Sequence, residues 1–140
     1  MNPKLPHWLW LFPFAYCLHI IEEIKGVGHE INLSLNVFLI LSITAWLLMT
    51  CGIVLAQRFG FPHFMGVCLG STVFLNGLSH ISHSLLHRGY DAGLISGSVI
   101  FIPLGLVTLI NLRNNMRGRR YIVGVVVGMA IQTIATLLAA

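Results

Sequence analysis

Apolar residues run in blocks of roughly twenty along the chain, broken by short clusters of glycine, proline, asparagine and arginine. About 20 helical residues cross a hydrocarbon core of about 30 Å. The pattern predicts five helices. The first runs from Trp8 to Ile24, after Pro6, with Pro13 in its first turns. A kink there is tolerable in lipid. Gly26, Gly28 and Asn32 mark a turn, and the second helix runs from Leu35 to Ala56. Gln57, Arg58, Gly60 and Pro62 form the next turn. The third runs from Phe64 to His87, apolar at first and polar toward its end. Arg88, Gly89, Tyr90 and Asp91 connect it to the fourth, Gly93 to Leu112, with Pro103 as a kink. The fifth runs from Tyr121 to Leu138. Short loops imply antiparallel neighbours. Small-xxx-small pairs (Gly66 and Gly70, Gly93 and Gly97, Gly124 and Gly128) read as packing devices that let helices approach closely.

Composition agrees. Of 140 residues, 56% are apolar and only 9% charged, where a soluble domain has roughly 25% charged. Too little charge is present to coat a water-facing surface. The expected fold is all-α, a polytopic membrane helix bundle forming a single transmembrane domain over residues 1–140. The net charge of +4 does not indicate nucleic acid, because most of the excess sits between Arg113 and Arg120. Such stretches face the cytoplasm and anionic headgroups. With five spans, Lys4, Arg58, Arg113, Arg117, Arg119 and Arg120 share one side, and Lys25 and Arg88 the other. That bias places the protein in a plasma or inner membrane with the N-terminus cytoplasmic and the C-terminus outside. No small-x-small cleavage site follows the first apolar run, so it reads as a helix and not a signal peptide. Cys17, Cys51 and Cys68 lie in apolar runs without paired spacing and read as buried thiols acting as small apolar residues.

Two polar clusters interrupt the apolar pattern. His19, Glu22 and Glu23 project within an arc of about 100° late in the first helix. Asn76, His80, His83 and His87 step by four, three and four. They fall within an arc of roughly 60° and rise about 16 Å along the third helix. Helices one and three run in the same direction and both clusters come late, so both occupy the same half of the membrane. Tyr90, Asp91 and Gly93 lie at that depth, as do His29 and Glu30 in the first loop. An ionised side chain at mid-membrane costs roughly 2.5–3.5 kcal/mol. The cluster must therefore be paired, protonated, metal-bound or wet. A Glu–His contact lets each partner offset the other's desolvation, an arrangement suited to proton transfer.

Blander readings compete. His87, Arg88 and Tyr90 fit headgroup contacts, and Asp91 fits an N-cap for the fourth helix. His29, Glu30 and His63 fit solvated loops. Trp8, Trp10 and Tyr121 fit interfacial anchors. The whole His19, Glu22, Glu23, Asn76 and His80 set could clamp helices together, though one Asn would do so with less desolvation.

These motifs resemble those of the HXXEE-domain group of integral membrane proteins. The name-giving motif stands as His19-Ile20-Ile21-Glu22-Glu23, and an NxxxH motif as Asn76-Gly77-Leu78-Ser79-His80. A YxPGxxT motif is matched imperfectly by Tyr90-Asp91-Ala92-Gly93-Leu94-Ile95-Ser96, with Ala92 for the proline and Ser96 for the threonine. The resemblance implies a membrane protein with enzymatic activity and no established substrate. It points to His19, Glu22, Glu23, Asn76, His80, Tyr90 and Gly93. His83 and His87 are singled out by helical geometry alone.

The leading expectation is a membrane-embedded enzyme acting on a lipid-like or otherwise apolar small molecule. In its metal version, His19, Glu22 or Glu23, His80 and His83 bind one or two divalent ions, zinc or iron. In its metal-free version, a Glu–His pair moves protons as in an isomerase or cyclase, with Asn76 orienting His80 or polarising a substrate oxygen. Glu22, Glu23, Asn76 and Tyr90 are the candidate catalytic residues. HExxH and HxxEH are both absent, which argues against a zinc peptidase. The alternatives are a proton- or ion-relay transport protein, for which a homo-oligomer could build the path, and a structural subunit. Whether Glu22 or Glu23 faces the site is left open.

Overall fold

The structure is a computed structural model that describes residues 7–28, 31 and 33–139. A 3-10 turn, His7–Trp10, leads into α1, Leu11–Glu23, and a second 3-10 turn, Ile24–Gly26, closes it. Then come α2, Leu35–Arg58, α3, Pro62–His87, α4, Leu94–Arg113, and α5, Gly118–Ala139. The described residues form no strand, only an isolated bridge between Val27 and Ile31. The architecture is all-helical, as the apolar periodicity implies. Four of the helices, α2 to α5, are long and apolar enough to cross a membrane. The α-helical part of α1 has 13 residues, about 20 Å, and its 3-10 flanks extend it. Lys4, His29, Glu30 and Asn32 lie outside the described residues.

Mean hydropathy ranks the spans by position. α3 has the lowest value, 1.3 against 2.0 to 2.4 for the others, and the largest buried share, 44%. It is the central helix: its polar residues Ser71, Asn76 and His80 face protein, whereas Ser82, His83 and His87 toward its end are exposed. α4 and α5 pack along it through glycines. A Cβ on Gly77 would sit 2.5 Å from the Gly97 carbonyl, and one on Gly105 2.6 Å from the Gly70 carbonyl. Only hydrogen side chains permit such backbone approach. Thr72 donates to the Cys68 carbonyl at 2.9 Å and to the Gly128 carbonyl of α5 at 3.0 Å, so its hydroxyl is satisfied in an apolar layer.

α1 and α2 lie against this unit. Leu9, Phe12 and Ala15 pack with Ile53, Leu69, Val73 and Phe101 as the core. Trp46 of α2 donates to the Pro13 carbonyl of α1 at 3.3 Å.

Several local expectations change. The Pro103 kink takes the form of a π segment, Gly97–Phe101, just before the proline. Proline clashes with the carbonyl four residues back, and the widened turn carries an i→i−5 bond from Ile102 to Gly97. Of the thiols read as buried, only Cys68 is; Cys17 and Cys51 sit on the outer surface of the bundle, where an apolar layer also accepts them. Trp8 does more than anchor. It is half-buried, meets Phe12 edge-on at 6.3 Å and fills the notch left by Gly66. Tyr121 donates to the Leu109 carbonyl at 3.1 Å, tying α5 to α4.

Candidate functional site

The buried stripe of the first 3-10 turn and α1, Leu9, Phe12 and Ala15, continues to His19, which is 1% exposed. Helical periodicity carries it one turn further to Glu23. On α3, His80 and His83 face the residues just before α4. The link between α3 and α4 is tightly shaped. Arg88 ends α3 in the left-handed region at φ 51°, with its N–H on the Ser84 carbonyl. The chain then doubles back, so that Asp91 lies against α3.

Asp91 is therefore no N-cap. The N-cap of the first turn of α4 is Gly93, without a side-chain bond. Asp91 Oδ2 meets His80 Nδ1 at 2.5 Å, and its Oδ1 meets His83 Nδ1 at 2.9 Å. The capping role falls instead to Glu22 of α1. Its carboxylate accepts from the Ile95 N–H at 3.0 Å, the Ser96 N–H at 2.7 Å, the Ser96 hydroxyl at 2.5 Å and the Tyr90 hydroxyl at 2.5 Å. Two of these donors are N–H groups at a helix start, which have no intrahelical partner. The dipole there also favours an anion.

These contacts set the tautomers of the buried His19 and the half-buried His80. The single Ser96 hydroxyl proton goes to Glu22, because a carboxylate oxygen can only accept. Ser96 Oγ must then accept from His19 Nδ1–H, 2.7 Å away. His80 likewise donates through Nδ1 to Asp91. Each neutral imidazole is left with a bare lone pair on Nε2. Both lone pairs face one oxygen, Glu23 Oε1, at 3.4 Å from His19 and 3.5 Å from His80. His19 Nε2 is buried and has no hydrogen-bond partner.

Three lone pairs facing one another at this largely buried site repel unless a proton or cation lies between them. The three donor atoms are all within 4.8 Å of one another. Nitrogen and oxygen ligands at about 2.0–2.1 Å from a tetrahedral zinc sit roughly 3.4 Å apart, close to both measured separations. His19, Glu23 and His80 could thus hold a metal ion. A carboxylate or hydroxyl behind each histidine is the usual support of a ligating imidazole.

The walls are shaped for this cluster. The His19 and His80 ring centroids are 4.9 Å apart, and Phe101 covers His19 at 4.4 Å. Gly93 has φ +99°, and a Cβ there would lie 2.7 Å from His80 Cε1 and 2.8 Å from His19 Cε1. Gly93 thus lines the site, beyond the packing role read from its spacing.

Other sequence candidates lie further out. Glu22 is fully engaged in capping and does not join the triad. His83 touches Asp91 but is 52% exposed, and its ring meets that of His87 at 4.2 Å, tilted by 48°. Tyr90 reaches Glu22. The Asn76 side-chain carbonyl is buried without a partner, one turn before His80. The sequence alone does not mark Asp91, Ser96 as a hydrogen-bonding group, or Phe101 as site residues. Their contacts with α1 and α3 cross helices, and only the YxPGxxT-like segment hinted at the Ser96 hydroxyl.

An apolar groove of about 270 Å³ runs between α1 and α4, lined by Leu11, Phe14, Ala15, Leu18, Ile100 and Leu104. Ala15 lies one turn before His19, and Ile100 adjoins Phe101.

Among known proteins, no curated protein and no solved structure matches the chain. The family described as "Protein of unknown function with HXXEE motif" matches residues 10–108. That span includes the triad, Asn76, Asp91, Gly93 and Ser96. With the match covering most of the chain and the motif histidine and second glutamate meeting His80 across the bundle, the protein belongs to the HXXEE family.

Proposed function

We propose that the protein is a membrane-embedded enzyme in which His19, Glu23 and His80 hold one divalent cation, zinc or iron, and act on a lipid-like or apolar substrate. The observation that carries this reading is the convergence of His19 Nε2 and His80 Nε2 on one oxygen, Glu23 Oε1, at 3.4 and 3.5 Å. A set of two histidines and one glutamate leaves a coordination position open, as catalytic zinc sites do. When bound, such a cation polarises a substrate oxygen or supplies an activated water at neutral pH. The chain's own groups have separate tasks. Ser96 and Asp91 hold the two imidazoles in their ligating tautomers. Phe101 keeps bulk water from His19. The unpartnered Asn76 carbonyl is free to accept from a substrate donor. The groove between α1 and α4 supports an apolar substrate, since it would take an alkyl chain from the bilayer next to the cluster.

A second reading, proton relay, rests on another observation. His83, Asp91, His80, Glu23 and His19 form a continuous polar path from an exposed imidazole to a buried one. Intramembrane Glu and His mark ion pathways as readily as active sites.

Metal analysis of protein purified in detergent after loading with zinc or iron separates these readings. One tightly held ion per chain, lost in Glu23→Gln and in His80→Ala with the helical fold intact, supports the metal site. If wild-type protein stays metal-free and well folded, the cation is refuted, and proton flux in proteoliposomes becomes the deciding measurement. If it stays metal-free and both variants unfold, the cluster is a helix clamp.

A further inference from the structure

At the far end of the bundle from this cluster lies a second polar cavity, of about 390 Å³. The loop before α3 and the loop before α5, each with the first turn of its helix, form it together, with Phe61, His63, Phe64, Asn115, Arg117 and Arg120 among its walls. Phe64 and His80 are sixteen residues apart on α3, which puts the two sites about 24 Å apart along the helix. That is close to the thickness of the hydrocarbon layer. This cavity therefore opens at the opposite membrane–water interface.

Its charge is uncompensated. The chain has four acidic residues. Glu22, Glu23 and Asp91 are gathered at the triad, and Glu30 lies outside the described residues. Among the described residues, every ion pair involves a histidine of the triad end, and neither Arg117 nor Arg120 has a carboxylate within reach. Two guanidinium groups, an imidazole and an Asn side chain thus border one concave space with no internal counter-ion among the described residues. Arginine matches phosphate oxygens with paired, charge-assisted hydrogen bonds. Basic pockets between membrane helices take acidic headgroups. The aromatic walls, Phe61 and Phe64, are suited to the glycerol and first methylenes below a headgroup. They would be poorly suited to a small, fully hydrated ion.

We propose that this cleft binds the phosphate of an acidic phospholipid headgroup, held by Arg117 and Arg120. The site is separate from the triad and independent of any reaction there.

The test compares two double variants that each remove two positive charges from this end. One is Arg117→Gln with Arg120→Gln. The other is Arg58→Gln with Arg113→Gln, at exposed positions outside the cleft. Lipid retention is read by native mass spectrometry after exchange into phosphatidylglycerol, with phosphatidylcholine as the neutral control. The expected result is one phosphatidylglycerol kept per wild-type chain and per Arg58/Arg113 variant. The Arg117/Arg120 variant should show at least a fivefold weaker affinity, and phosphatidylcholine should not be retained. Equal losses in both double variants would mean diffuse electrostatics and overturn the site. So would no loss in either. A parallel arm adds inorganic phosphate alone and reads the thermal midpoint in detergent. A saturable shift that disappears only in the Arg117/Arg120 variant would keep the phosphate site and assign its ligand to a soluble source.

Discussion

Removing the Ser96 hydroxyl tests the tautomer argument directly. Ser96→Ala deletes the only acceptor for His19 Nδ1–H, 2.7 Å away, and one of four donors to Glu22. Glu22 keeps the Tyr90 hydroxyl and both backbone N–H groups, so its carboxylate stays bound and the α4 start stays capped. The larger loss falls on His19, which is 1% exposed and cannot turn to water. A buried donor left unsatisfied costs roughly 1–3 kcal/mol, and the lost charge-assisted bond to Glu22 adds to that. We expect a stability decrease of about 2–3 kcal/mol, read from detergent-to-denaturant unfolding monitored by circular dichroism. The functional effect is separate. Without Ser96, nothing holds the proton on Nδ1, and the imidazole can present Nε2–H to Glu23. Loss of such an outer partner typically weakens metal affinity about 10–100-fold, equivalent to about 1.4–2.8 kcal/mol. Competition with a chelator of known zinc affinity measures this. Ser96→Thr keeps the hydroxyl and should stay close to wild-type affinity even if the added methyl lowers stability. If Ser96→Ala binds zinc as tightly as wild type, the hydroxyl is only structural and the tautomer reasoning fails.

Asp91→Asn leaves the shape but removes the charge that holds both His80 and His83. We expect about a 10–100-fold drop in metal affinity by the same chelator competition, and an unchanged affinity would show that Asp91 serves the turn alone. Gly93→Ala forces a Cβ to within 2.7 Å of His80 at a φ of +99°. The left-handed strain costs about 1–2 kcal/mol and overpacking about 1–3 kcal/mol. A loss in that combined range should accompany disrupted metal binding, and a neutral variant would mean that the imidazoles can move apart. Glu22→Gln should lower stability by about 1.5–3 kcal/mol through the weakened cap while leaving the metal stoichiometry at its wild-type value. Glu23→Gln should do the reverse, so metal loss in Glu22→Gln would mean that the two glutamates have been assigned the wrong way round.

Much of this architecture is legible along the chain. Each apolar run is long enough to dictate a helix, because in lipid the backbone must satisfy its own hydrogen bonds. The helical spacing of His19 with Glu23, and of Asn76 with His80 and His83, sets which side chains share a face. The common depth of the two stripes follows from chain direction alone. In the sequence the π segment before Pro103 reads only as a kink, since a proline does not by itself dictate how the preceding turn widens.

What the chain order could not decide is which neighbouring side chains face each other across helices. Glu22 and Glu23 are adjacent and chemically identical. Their roles diverge because successive residues are turned by about 100° around a helix, and only the rotation of α1 against α3 and α4 assigns each a direction. That rotation comes from packing Phe12, Ala15 and Phe101 into one core. Asp91 reads locally as a helix cap, since Asp before a helix has that preference. The reversal at Arg88 brings it instead to two imidazoles, a contact that no local propensity encodes. Residue types and periodicity thus determine the helices and the polar faces, and the close packing of those faces determines where the protons, the lone pairs and any cation can sit.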